Sequence, residues 1–160
     1  MLEKGEIKFN LSLLFDIHKY FLNTLYSWAG KIREVDISKD NMLFASSRYI
    51  NSSLKEFKKI LKKNIPKQSD DKKTIAQKLA LIHSELNAIH PFRDGNGRII
   101  RLFLDLLALH SGYEMIDYSK SSKQGYINAC IDGMVKDNKK MEIILYNGLK
   151  RQMSIIPKKL

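Results

Sequence analysis

Apolar residues recur at helical spacing along most of the 160-residue chain. Leu14, Ile17, Phe21 and Leu25 form one such row, behind the candidate N-caps Asn10 and Ser12. Ser53 and Glu56 are spaced as a capping box ahead of Leu54, Phe57, Ile60 and Leu61. The polar stretch "NIPKQSDDKK" reads as a loop. Ser69, with Asp70 and Asp71 behind it, then opens a further helix, and the acids match the positive end of its dipole. Ile75, Leu79, Ile82, Leu86 and Ile89 give that helix its buried stripe. Pro91 predicts its end near His90, because the residue before a proline is pushed out of the helical region.

Residues 98–109 carry no polar face: Ile99, Ile100, Leu102, Phe103, Leu104, Leu106, Leu107 and Leu109 cover every side. A helix apolar all round is buried all round. Ser111-Gly112 predicts its stop. Two more helices are expected over about 121–135 and 139–153. One segment follows a different period. Val35 and Ile37 alternate with polar residues, "KDN" is a turn, and Met42 to Ala45 can return as the second strand of a short hairpin. The expected fold class is all-α, a helical bundle around a buried central helix, with one short β-hairpin flap. A chain of this length that is 44% hydrophobic is read as one domain, 1–160, with its core over about 11–150.

No run of eighteen apolar residues is present, so no membrane span is expected. The first ten residues hold no apolar signal core, which places the expectation in the cytoplasm. The single cysteine, Cys130, can form no internal disulfide and reads as a core thiol. The net charge is +11, from 28 basic and 17 acidic residues. Much of the excess lies in dispersed pairs such as Lys58-Lys59, Lys62-Lys63 and Lys72-Lys73, the signature of a solvated face. Nucleic-acid binding as the main activity is therefore not favoured. His83 and His90 stand seven apart without an HExxH pattern, which argues against zinc.

The densest polar chemistry, "HPFRDGNGRIIR" at 90–101, runs straight into the apolar helix. A helix starting near Asn96 or Gly97 points its free N–H groups and positive dipole end into "DGNG", an anion nest. Gly95 and Gly97 let the backbone approach a ligand closely. Arg98 and Arg101, three apart, share a face and can grip neighbouring phosphates. Asp94 offers hard oxygen suited to Mg²⁺. His90 can take a proton near neutral pH. Base, metal ligand, nest and two arginines together describe phosphoryl or nucleotidyl transfer.

This stretch resembles the signature of the Fic (filamentation induced by cAMP) family, HPFx(D/E)GNGRxxR, at every specified position. "YSWAGKIR" at 26–33 resembles a second family segment, and the "ISK" after it sits where family members carry a flap. The likeness spans roughly residues 11–150. It implies a protein adenylyltransferase that moves AMP from ATP to a Ser, Thr or Tyr hydroxyl of a target protein and releases pyrophosphate. His90 would be the base. Asp94 would hold Mg²⁺. Gly95, Asn96, Gly97 and Arg98 would cradle the phosphates, and Arg101 would hold the γ-phosphate. Phe92 would anchor the loop in the core, and Arg93, at the variable position, has no assigned role. Ile37, Ser38 and Lys39 of the flap would dock an extended stretch of the target by strand addition. Tyr126 is a candidate for the adenine pocket. His18, His83 and His110 are read as structural, and Trp28 as a core anchor.

The alternatives are a related transfer, phosphorylation in the Doc-like branch or another nucleotide, and a non-catalytic basic binding protein. Gly97 and Arg101, which the Doc-like pattern lacks, favour ATP bound in the usual direction. Many relatives carry an inhibitory (S/T)xxxE(G/N) helix whose glutamate pairs with the distal arginine. Here Ser52 and Glu56 have that spacing, but Phe57 follows. The first ten residues are too short for such a helix, and the tail "RQMSIIPKKL" contains no acid. Restraint is expected from a separate antitoxin-like protein or from a segment outside these residues. A short chain of this kind fits the bacterial cytoplasmic, toxin-like type.

Overall fold

Six α-helices and one two-stranded hairpin make up the regular structure of residues 6–153, which the computed structural model describes. The order is α1 (Leu11–Leu22), β1 (Ser38–Lys39), β2 (Met42–Leu43), α2 (Ile50–Asn64), α3 (Lys72–Ile89), α4 (Asn96–His110), α5 (Lys123–Val135) and α6 (Lys139–Gly148). Residues 1–5 and 154–160 lie outside the described residues. Among the described residues no helix is long and apolar enough to cross a membrane.

α3 and α4 form the buried middle. α3 packs against α2, α4, α5 and α6, and α4 packs against α1 and α3. The predicted row on α3, Ile75, Leu79, Ile82, Leu86 and Ile89, is buried throughout. α4 buries Ile99, Ile100, Phe103, Leu104 and Leu107, while Leu102 and Leu106 are half-buried and Leu109 is exposed. Its last turn therefore reaches the surface, where His110 ends it and Ser111 Oγ caps the carbonyls of Leu107 and Ala108.

Several local expectations are corrected. Asn10 caps α1 by accepting from the Leu13 N–H at 3.0 Å, whereas Ser12 is inside the helix. The face of α1 that packs is Leu14, His18 and Leu22, and Phe21 and Leu25 are exposed. A polar residue, His18, takes the place that hydrophobic periodicity gave to an apolar one. Ser53 and Glu56 lie inside α2, not at its start. A 3₁₀ turn, Ser47–Tyr49, feeds directly into α2 and seats Ile50 in the core, so the helix begins earlier than the capping pattern predicts. Glu56 instead pairs with Lys59 at 2.8 Å on the surface. Asp71, not Ser69, caps α3 through the Thr74 N–H at 2.7 Å. Asp70 is drawn back to the Lys67 N–H and to Lys78 Nζ. α6 stops at Gly148 because the chain after it runs extended beside residues 112–114, with the Glu114 N–H donating to the Lys150 carbonyl. Trp28 is half-buried and stacks on exposed Tyr26 at 4.4 Å, so it is not a core anchor.

The hairpin is shorter than predicted. Ser38 pairs with Leu43 and Lys39 with Met42 across a turn in which Asp40 and Asn41 have φ of 50° and 63°. Positive φ at both central residues marks a type I′ turn, which matches the twist of the strands. Val35 lies outside the strand and is exposed. The hairpin is tied to the bundle by the Ala45 N–H, which donates to the Ala88 carbonyl on α3.

Candidate functional site

The loop between α3 and α4 carries the polar motif, and three side chains pin its backbone. His90 ends α3 in a left-handed conformation, φ 48° and ψ 62°. Its carbonyl accepts from Arg33 Nε at 2.7 Å. The same buried guanidinium donates to the carbonyls of Val35, Ala45 and Ile89, and the Arg33 N–H donates to Pro91 O. One arginine thus binds the motif loop to the base of the hairpin. Burial pulls its pKa down, but it stays charged against four carbonyl dipoles.

His18 holds the other side. Its Nδ1 accepts from the Gly30 N–H at 2.8 Å, so the proton is on Nε2, which donates to the Asp94 carbonyl at 3.0 Å. Its ring is stacked on buried Phe92 at 3.7 Å. Burial lowers its pKa, keeping it neutral. The expectation of a structural role for His18 and of a core-anchored Phe92 agrees with this arrangement. Asn96 is the third pin. Its Oδ1 accepts from the Phe92 N–H at 2.9 Å and its Nδ2 donates to the Phe92 carbonyl at 2.7 Å. The side chain is buried and both its polar atoms are engaged, so the expected phosphate cradle cannot include it. Only the Asn96 backbone N–H is available for that purpose.

With the loop fixed, its donors converge. The N–H groups of Asn96, Gly97 and Arg98 have no protein partner among the described residues, while the Ile99 N–H is the first to bond within the helix, to Gly95 O. Gly95 adopts φ +81°, and a Cβ there would stand 3.1 Å from Leu22 Cδ1, so both conformation and packing require glycine. The result is the helix-end nest that the spacing predicts. Asp94 is exposed beside it, with Oδ1 accepting from the Gly95 N–H at 2.7 Å and Oδ2 3.6 Å from Arg98 Nη2. That pair is solvent-exposed and weakly coupled. No cluster of three metal-ligating side chains occurs among the described residues. A lone carboxylate beside a phosphate nest fits Mg²⁺ that takes its remaining ligands from phosphate and water, and does not fit a preformed protein cage.

His90 itself is set for proton acceptance. Its Nδ1 lies 3.1 Å from the Asn87 carbonyl, which can only accept, so Nδ1 carries the hydrogen and Nε2 is left with a bare lone pair. Burial lowers its pKa to about 4, outweighing the Asn87 bond that raises it, and Arg33 and Lys39 push the same way as burial. The ring is therefore neutral at pH 7. Phe44, just after β2, lies flat against it.

Two spaces meet at this histidine. A cavity of about 480 Å³ extends toward α5, lined by His83, Tyr118, Tyr126 and Cys130 among others. A cleft of about 330 Å³ runs along the loop between the flap residues Ile37, Ser38 and Lys39 and the motif residues Asp94 to Arg98. Lys39, Phe44, His90, Gly97 and Arg101 line both. Ser38 and Lys39 are exposed and Ile37 is half-buried against the core. Arg93 is exposed at the cleft's rim. Tyr126 lines the cavity as expected of it, yet its hydroxyl is engaged by His83 Nε2 at 2.7 Å. Burial raises the Cys130 pKa to about 11, consistent with an unreactive thiol.

The structure thus brings His90, Asp94 to Arg98, Arg101 and the flap into one region. Sequence reasoning passed over Arg33, His18 and Phe44. Arg33 lay inside the quoted "YSWAGKIR" segment, but only its burial reveals its task. His18 and Phe44 gave no signal beyond apolar or helical spacing.

The Fic/DOC family pattern matches residues 8–108. The chain is 35% identical over 142 residues to the protein adenylyltransferase VbhT of Bartonella schoenbuchensis, covering 89% of this chain and 30% of that protein. It is 32% identical over 116 residues to a probable protein adenylyltransferase of Sinorhizobium fredii, covering 72% and 60% respectively. It therefore spans less than two thirds of both curated relatives. Among solved structures it is similar to the BepC protein of Bartonella tribocorum with bound AMPPNP, at a TM-score of 0.77 and 25% identity, covering 95% of this chain and 80% of that one.

Proposed function

The chain belongs to the Fic/DOC family, and from that premise we propose that it is a protein adenylyltransferase, moving AMP from ATP to a side-chain hydroxyl of a target protein. The observation that carries this reading is the state of His90: neutral, with a bare Nε2, at the junction of a cavity and a cleft. ATP would occupy the cavity with its phosphates on the nest, and the target would lie in the cleft. The names of the relatives and the AMPPNP in the BepC structure support the nucleotide.

The target's hydroxyl oxygen attacks the α-phosphorus as Nε2 of His90 takes its proton. The bond from the α-phosphorus to the bridging oxygen breaks, and pyrophosphate leaves. The N–H groups of Asn96, Gly97 and Arg98 receive charge on the phosphates, with the Arg98 guanidinium beside them. Arg101 holds the far end of the polyphosphate. Asp94 is the residue that would hold Mg²⁺, whose charge offsets that of the α- and β-phosphates when bound. The flap edge at Ser38 and Lys39 pairs with an extended stretch of the target.

All of the hydrophobic cluster from Phe9 to Leu149 is continuous, which supports reading the chain as one Fic domain. The proposed compartment is the cytoplasm, where ATP and Mg²⁺ are supplied. Arg101 has no ion-pair partner among the described residues, which supports restraint by an acid from a separate antitoxin-like protein. Incubation with α- and γ-labelled ATP tests the reading. Protein label from the α position only is expected. Label from γ only would make it a kinase, and label from neither, with salt-sensitive DNA binding, would make it a basic binding protein.

A further inference from the structure

Arg101 is long, half-buried and flexible in principle, yet it must present its guanidinium at one place to read a terminal phosphate. Among the described residues it makes no ion pair. Asp105, one turn along α4, is buried and directs Oδ1 to the Ile116 N–H at 2.9 Å. What faces the guanidinium is an aromatic ring: Arg101 Cζ lies 5.7 Å from the centroid of Tyr126. That is within cation–π range. On the other side lies Gly97, where a Cβ would meet Arg101 Nη1 at 3.4 Å.

The Tyr126 ring is itself held from two sides. His83, buried on α3, bonds its hydroxyl at 2.7 Å and meets its ring edge-on at 5.6 Å and 89°. Tyr118 meets it edge-on at 5.9 Å and 87°. With its hydroxyl engaged and its face toward a cation, Tyr126 offers little to a base. We propose that Tyr126, tethered by His83, is a positioning residue that holds Arg101 toward the end of the polyphosphate, so that preference for ATP over ADP depends on the tyrosine–histidine pair. The inference rests on the proposed role of Arg101. The tether works only with an uncharged His83, because a second cation here would repel Arg101. Burial lowers the His83 pKa to about 3, which keeps it neutral at any working pH.

The test is binding of ATP, ADP and AMP to the full chain with Mg²⁺, by calorimetry, with thermal melting run alongside. Arg101→Ala should abolish the preference for ATP over ADP. Tyr126→Leu should cut that preference about tenfold, the scale of one partly desolvated cation–π contact, by weakening ATP more than ADP or AMP. Tyr126→Phe keeps the ring but cuts the tether, and should lose part of the preference, less than Tyr126→Leu loses. Should Tyr126→Leu not fold, Tyr126→Phe and His83→Gln carry the test. Each cuts the tether, so the double variant should lose no more preference than the worse single one. Additive losses, or equal weakening of ATP, ADP and AMP in Tyr126→Leu, would overturn the proposal, because the ring would then be merely a pocket wall. If Arg101→Ala keeps the preference, the underlying role of Arg101 has failed instead.

Discussion

The ring of Phe44 lies flat on the imidazole of His90, with centroids 3.6 Å apart and planes 9° from parallel. The residue that ends the hairpin is thereby also the wall that dries the proposed base. The flap and the proton acceptor are one construction, and the chemistry of His90 depends on residues nearly fifty positions away.

His90→Ala should abolish transfer and leave ATP affinity nearly intact, since the nest is built from other groups. In the wild type, transfer needs neutral His90. With its pKa lowered from 6.5 to about 4, activity should hold as pH falls through 6 and decline only near 4. Stability moves differently. Below pH 6.5 the unfolded chain protonates His83 and His90 while the folded chain does not, so folding weakens as pH falls from 6.5 toward those lowered values. Rates normalised to the folded fraction by circular dichroism separate the two. An acid limb near 6.5 after that correction would show that the base is not this histidine.

Asp94→Ala should weaken Mg²⁺-dependent nucleotide binding. Its side chain is exposed and only loosely paired with Arg98, so melting temperature should barely change. Titrating Mg²⁺ against activity reads the effect. Saturation at the unchanged Mg²⁺ concentration would place the metal on other ligands.

Arg33→Lys should fail to replace arginine. The planar fork reaches four carbonyls on both the loop and the hairpin, and an ammonium cannot span them. Arg33→Ala leaves those carbonyls unpaired in a buried setting, with a cost on the order of 3 kcal/mol or more. Chemical denaturation measures it. A lysine variant as stable as the wild type would contradict the pinning role.

Lys39→Glu should alter modification of a protein target more than ATP affinity. The residue is exposed on the outer strand of the flap, and a backbone ladder there would supply affinity while side chains tune selectivity. Comparable changes in both measurements would argue that the hairpin is not a docking edge.

The purified 160-residue chain should transfer AMP without an activating mutation. Glu56 is about two-thirds exposed, pairs with Lys59, and lines a groove beneath β2 rather than the nucleotide cavity. Glu56→Gly should leave labelling unchanged. A sharp rise would reveal an internal brake.

The long-range architecture was legible wherever one physical signal dominated. The stripe of α3, its end before Pro91, the nest at the start of α4 and the presence of a turn at Asp40-Asn41 all follow from local rules. The site was legible through its motif, which names groups by chemistry. What spacing left unread shares a cause: polar residues doing interior work. His18 took an apolar slot on α1, Asn96 turned inward to the Phe92 backbone, and Arg33 sat buried among carbonyls. Periodicity counts apolar residues and treats these as surface, and spacing alone cannot tell a ligand from a strut. Helix starts also shifted where a preceding 3₁₀ turn or a stronger carboxylate cap competed, as before Ile50 and at Asp71.

The left-handed backbone of His90 has a consequence for assembly during folding. An isolated helix ending in histidine has no local reason to hold φ at +48°. The conformation is imposed by Arg33, by Phe44 and by the Asn96 clamp across the loop. No fragment lacking residues 33–45 can therefore carry a competent base, however helical it is. On the proposed role of His90, a newly made copy would gain its base only once its distant segments have closed on one another, and would lose it with the first local opening there.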